Sequence, residues 1–199
     1  MRSTTLFTTY EDLPRATENG FTVVDCPEEI WKKILEIYEL AKQEPHTEGF
    51  PGKDEVIHGG ETGIFRLDFH ERKRDVIHRA LQPLHEEWAK RDLIPSAVYG
   101  IRSYYDGTSL IMHRDIVQTH HISSIIIVDT DERLPWPLHI EDHDGNEHKI
   151  YTKPGQIILY ESATCLHGRP TPFAGNYYNN FYVHYKFAGL DFVEPAKEN

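Results

Sequence analysis

Two neighbouring stretches of the sequence decide the fold: LIMHRD at residues 110–115 and HISSIIIVD at residues 121–129. The second stretch contains the most hydrophobic segment of the chain, and its β-branched residues favour a β-strand. The first stretch is an apolar segment that leads into a histidine and an aspartate. Because these two polar residues lie between two predicted strands, we expect them at the rim of a β core.

The strand pattern continues on both sides of these stretches, from about residue 96 to residue 187. The hydrophobic period is two, and β-branched and aromatic runs alternate with turn residues such as Asp144-Gly145 and Pro154-Gly155. Seven strands are predicted, near residues 97–105, 110–113, 119–129, 137–142, 147–152, 156–161 and 177–187. Since no helical pattern separates them, an antiparallel sandwich or small barrel is expected.

Helical patterns lie before residue 95. Apolar residues at helical spacing predict an amphipathic helix over residues 27–42 and a second helix over residues 73–90, with Pro83 inside it. Residues 43–63 are rich in glycine, proline and charge, so a loop is predicted between the two helices.

The length and composition fit one globular domain. The chain has 199 residues, of which 39% are hydrophobic and 27% charged, so neither disorder nor a fibrous repeat is expected. We predict a single mainly β domain over residues 1–199, a β-barrel or jelly roll. Residues 1–95 supply the loop and two supporting N-terminal helices, and residues 96–187 form the barrel core.

The charge and the cysteine count argue against several functions. The net charge of −11 repels nucleic acid and anionic lipid, so neither is an expected partner. No apolar run approaches the roughly 20 residues of a membrane helix, and residues 1–13 lack the apolar stretch of a signal peptide. A cytoplasmic protein is the expectation. Cys26 and Cys165 are too few for a disulfide framework or a thiolate zinc site.

Histidine is abundant, and histidine beside a carboxylate is a common ligand set for oxygen-reactive iron. With 13 histidines and 32 acidic residues, about two His-x-Asp/Glu pairs are expected by chance, so such matches need structural context. Four pairs occur: His46/Glu48, His85/Glu87, His113/Asp115 and His139/Glu141.

Local structure separates the four pairs, because side chains at i and i+2 share a face only in an extended chain. The pair at 85–87 lies on a predicted helix and fails this condition. The pair at 46–48 lies in the polar loop, where solvated charges are the simpler interpretation. The pair at 139–141 leads into a charged turn and is the second choice. The pair at 113–115 lies at the rim of the core and is the first choice for a pair of metal ligands.

A third ligand is predicted from the strand at residues 156–161. His167 follows this strand, 52 residues after Asp115, a separation that accommodates a hairpin and returns the chain beside the first pair. Two imidazoles and one carboxylate leave coordination positions open, as Fe(II) requires when it binds a cosubstrate and dioxygen. Zinc favours a closed tetrahedral site. His113, Asp115 and His167 are therefore the candidate metal ligands.

Several short motifs follow one another in order: YGIRSYYDG at 99–107, HRD at 113–115, PGQ at 154–156, YES at 160–162, LHGR at 166–169 and GN at 175–176. This series resembles the Fe(II)/2-oxoglutarate-dependent dioxygenases of the double-stranded β-helix fold, and among them the prolyl 4-hydroxylase-like branch. The resemblance covers about residues 97–187, and the order of the motifs is more specific than any one of them.

The resemblance implies a double-stranded β-helix, a jelly-roll or cupin-like fold, with Fe(II) held by His113, Asp115 and His167. It implies an oxygenase that decarboxylates 2-oxoglutarate to succinate and uses dioxygen as cosubstrate. A hydroxylase is expected, acting on a prolyl residue, a free amino acid or another small molecule.

One position departs from the family pattern. The family usually places a lysine or arginine about ten residues after the distal histidine to hold the far carboxylate of 2-oxoglutarate, whereas this chain has Tyr177 there. Arg169 is the first candidate for this role, and Tyr104, with Arg102 on its strand face, is the second. The alternative for Arg169 is a surface or structural salt bridge, and the alternative for Tyr104 is a plain aromatic residue of the core. If Tyr177 faces inward, strand parity turns Lys186 outward.

The sequence leaves three further points open. Residues 119–121 either line the cosubstrate pocket or belong to the core. The loop of residues 46–63, with Arg66 and Asp68, either covers the substrate or only connects the helices. A cupin-like metal-binding or ligand-sensing barrel and a catalytically inactive interaction module are the alternatives to an oxygenase.

Overall fold

The computed structural model describes residues 4–43, 56–60, 62–64 and 71–194. The His-x-Glu pair at 46–48, most of the predicted loop, and Arg66 and Asp68 lie outside the described residues. No helix among the described residues is both long enough and apolar enough to cross a membrane.

Two α-helices and thirteen strands occur in the described part of the chain. The helices are α1 (Glu28–Gln43) and α2 (Glu71–Ala89), within two residues of their predicted bounds. The strands are β1 (Thr5–Phe7), β2 (Phe21–Asp25), β3 (Ile57–His58), β4 (Thr62–Ile64), β5 (Leu93–Tyr104), β6 (Ser109–His113), β7 (Ile122–Glu132), β8 (Leu138–Glu141), β9 (Glu147–Ile150), β10 (Gln156–Tyr160), β11 (His167–Arg169), β12 (Gly175–Phe187) and β13 (Leu190–Phe192).

Two antiparallel sheets form the body of the fold. The larger sheet has the strand order β2-β10-β7-β12-β5-β4, and the smaller has the order β3-β6-β11-β8-β9. Strands β1 and β13 form a separate parallel pair. Buried side chains from both sheets, among them Ile125, Leu138 and Tyr160, pack together in one cluster. The predicted mainly β, jelly-roll fold is thereby confirmed.

The helices pack on the other face of the larger sheet, whose central strand is β12. This strand pairs with β5 on one side and with β7 on the other. Its side chains divide between two clusters: Phe181, Val183 and Tyr185 pack with the helices, whereas Tyr178 and Tyr182 join the cluster between the sheets. Each fully buried side chain of this kind stabilises the fold by about 1.5–3 kcal/mol. Strand β12 is thus held from both faces.

Several strands were not predictable from the hydrophobic pattern. No strand is predicted before residue 97, yet β2 and β4 are the two edges of the larger sheet and β3 is an edge of the smaller one. Strand β11 is also missing from the prediction. These strands have two to five residues, too few to display a period of two, and they form because a longer neighbour offers its backbone. Residues 1–95 therefore contribute strands as well as helical support.

Candidate metal centre

Strand pairing brings the predicted ligands together. His113 ends β6 and lies directly opposite His167, the first residue of β11, in the antiparallel register. Asp115 follows two residues later, and its backbone N–H donates to the carbonyl of Ser162 at 2.9 Å. This hydrogen bond ties the chain after β6 to the segment that leads into β11. All three side chains thus lie at the same end of the smaller sheet.

The three side chains lie close enough to share one ion. One ligand atom from each lies within 4.8 Å of the other two. His113 Nε2 is 3.6 Å from Asp115 Oδ1, and His167 Nε2 is 3.7 Å from the same oxygen. The two imidazole rings are 4.4 Å apart between centroids. Both Nε2 atoms therefore converge on the carboxylate, as two imidazole ligands and one carboxylate ligand do around a metal.

Backbone carbonyls fix the orientation of both imidazoles. The Nδ1 atom of His113 lies 2.9 Å from the carbonyl oxygen of Ile111, and the Nδ1 atom of His167 lies 2.9 Å from that of Cys165. A carbonyl only accepts, so Nδ1 carries the proton in each ring. Nε2 is then left unprotonated and able to bind a metal. Such support of the distal ring nitrogen is common for metal-ligating histidines.

The electrostatics of the three residues suit a cation. Burial alone would raise the pKa of Asp115, but the contact with His113 and the nearby histidines hold it well below its usual range. Burial lowers the pKa of His167 to about 4. At neutral pH the group is therefore a carboxylate with a neutral imidazole. Asp115 Oδ2 is buried with no hydrogen-bond partner, an arrangement that is costly without a cation. The residues fit a divalent metal.

A cavity of about 290 Å³ opens beside this group. Its apolar wall comes from both sheets and includes Leu110, Ile125, Leu138 and Tyr160. Besides the metal ligands and the two arginines Arg102 and Arg114, its polar residues form two sets. One set is Tyr104, Arg169 and Tyr182, which we call the arginine side; the other is Tyr99, His120 and His184, which we call the histidine side.

Arg169 dominates the arginine side. It is 2% exposed, and its guanidinium lies between the rings of Trp136 and Tyr178, 4.7 and 4.6 Å from their centroids. It donates to the Trp136 carbonyl and, at 3.4 Å, to the Tyr178 hydroxyl. No carboxylate pairs with it among the residues that the structure describes. A buried cation without a counter-ion is costly, so an anionic ligand is expected at this end of the cavity.

Tyr104 completes the arginine side together with Tyr182. Their hydroxyl groups are 2.8 Å apart, and Asn180 Nδ2 donates to Tyr182 at 3.1 Å. Burial raises the pKa of Tyr182 well above its ordinary value, so its hydroxyl stays protonated. The two hydroxyls share one hydrogen bond, and one hydroxyl hydrogen is left to donate to a ligand. Beside Arg169, this hydrogen suits a carboxylate.

The prediction for Tyr177 was wrong in its premise. The Tyr177 hydroxyl donates to Asp129 Oδ2 at 3.1 Å, and Tyr38 of α1 donates to the same oxygen at 2.8 Å. Tyr177 therefore points toward the helices, and its strand neighbours Tyr182 and His184 line the cavity instead. The condition under which Lys186 was expected to face outward is therefore not met; Lys186 is not among the described residues that line the cavity, and it lies 3.9 Å from Asp191 of β13. Side chains alternate along β12, so Tyr177 shares the helix-facing side with Phe181, Val183 and Tyr185.

The histidine side was largely missed in the sequence. The rings of His120 and His184 lie 3.9 Å apart between centroids and are tilted by 45°, and the Tyr99 hydroxyl lies 3.2 Å from His120 Nε2. His184 Nδ1 is 3.9 Å from Asp115 Oδ2. His120 was considered and left unassigned, while Tyr99 and His184 carried no signal, because only the pairing of β5, β7 and β12 brings them together. His121 belongs to the core, packed against Phe7.

Hydrogen-bond counting fixes the tautomer of His184. Ser162 Oγ donates to the carbonyl of His120 at 2.8 Å, which uses its only hydrogen. The contact between Ser123 and Ser162, at 2.5 Å, must then use the hydrogen of Ser123. The remaining contact, 2.7 Å between Ser123 Oγ and His184 Nδ1, must use a hydrogen on Nδ1. Nε2 of neutral His184 is consequently a hydrogen-bond acceptor.

The other histidine pairs lie elsewhere. His85 is buried in α2, where its Nδ1 donates to the Leu81 carbonyl at 2.8 Å. His139 Nδ1 contacts Glu147 at 3.0 Å across the hairpin of β8 and β9. Neither belongs to the one group of possible metal ligands found among the described residues, which consists of the three predicted side chains.

Comparisons with known proteins support the fold. No protein-family model and no curated protein sequence matches the chain. Among solved structures, a Pseudomonas putida prolyl-4-hydroxylase has a TM-score of 0.60 at 13% identity, over 85% of this chain and 93% of that one. EctD from S. alaskensis, with bound Fe, has a TM-score of 0.60 at 11% identity, over 93% and 79% of the two chains.

AviO1 from Streptomyces viridochromogenes Tue57 is a third structural neighbour, with a TM-score of 0.57 at 15% identity over 93% of this chain and 94% of that one. The chain therefore has the fold of the prolyl hydroxylases and of an iron-binding protein. The predicted resemblance to the prolyl 4-hydroxylase-like branch is confirmed at the level of the fold.

Proposed function

We propose that the protein is a non-haem Fe(II)- and 2-oxoglutarate-dependent oxygenase, a hydroxylase of a prolyl residue, a free amino acid or another small molecule. One observation carries the proposal: His113, Asp115 and His167 offer three converging ligand atoms within 4.8 Å at the wall of a cavity. The fold is shared with prolyl-4-hydroxylase and with a structure that contains Fe.

The three residues would hold iron through two neutral imidazole nitrogens and one carboxylate, and would leave further coordination positions open. Iron bound there supplies the redox chemistry that couples the decarboxylation of 2-oxoglutarate by dioxygen to the insertion of one oxygen atom into a substrate C–H bond. One atom of dioxygen goes to succinate and the other to the hydroxylated product, and carbon dioxide is released. The backbone carbonyls of Ile111 and Cys165 keep both imidazoles in the tautomer that binds metal.

The arginine side of the cavity would bind 2-oxoglutarate. Arg169 supplies a buried positive charge that no carboxylate of the described residues pairs with, and the hydroxyl pair of Tyr104 and Tyr182 supplies one donor. A guanidinium binds a carboxylate through two parallel hydrogen bonds. Leu110, Ile125 and Leu138 would surround the methylene carbons and keep water away. Arg169 thus takes the role that the family usually gives to a basic residue at position 177.

Succinate formation tests this proposal. Purified protein with Fe(II), 2-oxoglutarate and air should release succinate, and the His167→Ala variant should release none, because its metal site lacks one ligand. Arg169→Gln should raise the 2-oxoglutarate concentration for half-maximal rate by about tenfold or more, since a charged hydrogen bond contributes about 1.5–3 kcal/mol.

The matched control for Arg169 is Arg133→Gln, which removes an exposed guanidinium paired with Asp106 outside the cavity. It should leave the dependence on 2-oxoglutarate unchanged. Tight metal binding without any succinate would contradict the oxygenase and favour a metal-binding barrel. Absence of metal binding would favour an interaction module.

A further inference from the structure

The cavity is basic although the chain is acidic. The net charge of the chain is −11, yet the described residues that line the cavity include three arginines, Arg102, Arg114 and Arg169, and only one acidic residue, Asp115. A metal ion bound by Asp115 would offset that negative charge. Because a cleft with one sign of charge gathers ligands of the opposite sign, this cavity favours a small anion. The charge of the whole chain disfavours a large one.

One anionic ligand does not neutralise all of the positive charge that the arginines bring to the cavity. Arg169, on the arginine side, accounts for 2-oxoglutarate in the proposed function. Arg114 lies elsewhere on the cavity wall, between the two ligands His113 and Asp115 in the sequence. A second positive group thus lies beside the metal ligands.

The guanidinium of Arg114 is fixed by neutral partners. Its Nε donates to the carbonyl of Thr164 at 2.9 Å, and its carbon lies 4.6 Å from the centroid of the Tyr10 ring. Among the described residues, no carboxylate pairs with it. In contrast, Arg133, also on the surface, pairs with Asp106 at 2.5 Å. Arg114 is therefore held in place while its charge stays uncompensated.

This arrangement prepares Arg114 to bind an anion. The two Nη groups donate no hydrogen bond within the described part of the chain, and they are the pair that grips a carboxylate in a bidentate manner. Since the contacts with Thr164 and Tyr10 already restrict the side chain, less conformational entropy is lost when a ligand binds.

The remaining groups restrict the ligand further. The histidine side offers neutral hydrogen-bonding groups, namely the Tyr99 hydroxyl and Nε2 of neutral His184, and the described cavity lining contains no carboxylate besides the metal ligand Asp115. The cavity of about 290 Å³ lies at the lower end of the range for small-molecule sites, and it must also hold 2-oxoglutarate. The substrate, or the part of it that enters, is small.

We propose that the substrate is a small carboxylic acid whose carboxylate binds the guanidinium of Arg114 at the wall of the cavity. The inference rests on the proposed oxygenase function and narrows its substrate class from prolyl residues and small molecules in general to small acids. Arg114 is then a specificity-determining residue: it selects an acid over the corresponding uncharged amide.

The test compares small carboxylates with their amides, using acetate, lactate and N-acetyl-L-proline as acidic probes. The full chain is loaded with Mn(II) and 2-oxoglutarate, and the broadening of the proton NMR signals of each probe reports binding near the paramagnetic ion. We expect the acids to bind about tenfold or more tightly than their amides. Arg114→Gln should remove this difference, Arg114→Lys should keep part of it, and Arg133→Gln should keep all of it.

The outcomes separate this inference from the proposed function. If the signals of 2-oxoglutarate itself are not broadened, the proposed function fails. If they are broadened but acids and amides bind alike, or no probe binds, the small-acid inference is overturned and the oxygenase remains. A preference for acids that survives in Arg114→Gln arises from the metal alone and overturns the inference as well. Since Arg114 is exposed, its variants should fold, which a melting curve checks.

Discussion

The His-x-Asp pair at 113–115 and the His-x-Glu pair at 139–141 share one motif, and they flank the same short strand. Strand β11 lies between β6 and β8, so the two pairs are almost equally placed to meet His167. His113 is the register partner of His167, and the carbonyl of Ile111 holds its Nδ1 so that Nε2 approaches Asp115.

The second pair has a different environment. His139 contacts Glu147 on β9, whose side chain is 56% exposed, through Nδ1. The residue of β11 that lies opposite His139 is Gly168, which has no side chain that could bind a metal. The difference teaches that a spacing of two residues produces a metal site only where the neighbouring strand supplies a third ligand.

Removing ligands of the first pair should have the largest effect. We expect His113→Ala and Asp115→Ala to weaken Fe(II) binding more than about 100-fold, because two ligands remain where three converged. His139→Gln should bind Fe(II) as the wild type does. Anaerobic Fe(II) titration, followed by metal analysis of the desalted protein, measures Fe(II) binding in all of these variants. Equal losses in His139→Gln and His113→Ala would remove the distinction between the two pairs.

Two buried histidines, His167 at the metal centre and His85 in α2, should also make the stability depend on pH. Burial lowers the pKa of His167 and of His85 to about 4, below the ordinary value of about 6.5. A histidine with a lowered pKa contributes stability that is fully present above about pH 6.5 and is lost as the pH falls toward 4. Acidification from about pH 6.5 to about 4 should therefore lower the free energy of unfolding by about 3 kcal/mol for each of the two.

Urea unfolding of the metal-free protein at a series of pH values measures this effect. The midpoint should fall steadily below about pH 6.5. Fe(II) should slow this fall, because a ligated His167 resists protonation. A midpoint that stays constant down to about pH 5 would contradict the neutral, buried state of these histidines.

The smallest effect is expected at the second pair. His139→Gln should lower the free energy of unfolding by less than about 1 kcal/mol, because its partner Glu147 is largely solvated and a contact with a solvated side chain contributes little. Urea unfolding in parallel with the wild type checks this value. A much larger loss would mean that the β8–β9 hairpin depends on His139 for its structure.

The sequence predicted the parts of the fold that repeat a pattern. Helices α1 and α2 and the long strands β7 and β12 display their periods over ten or more residues, so their existence follows from side-chain spacing. Strand β11 has three residues, one of them glycine, and contributes no such pattern. It forms because β6 and β8 pair with it on both sides, which is tertiary information.

In the candidate site, the metal ligands were predictable from the sequence, but most of the residues that line the cavity were not. The spacing of His113 and Asp115 places both near the core rim, and the return of the chain after β10 brings His167 beside them. Which face of β12 lines the cavity was not predictable, because the contact of Tyr177 with Asp129 and the helices depends on tertiary packing. The contact between His120 and His184 depends on packing between distant strands, which leaves no local trace in the sequence.

The central claim is that the first pair, with His167, binds Fe(II) in a cavity that also takes 2-oxoglutarate. Anaerobic titration with Fe(II) and then 2-oxoglutarate tests it most directly, through the weak visible charge-transfer band of the iron chelate. The band should form in the wild type and in His139→Gln, weaken in Arg169→Gln and be absent in His113→Ala. Tight metal binding without the band, or a band that persists in His113→Ala, would contradict it.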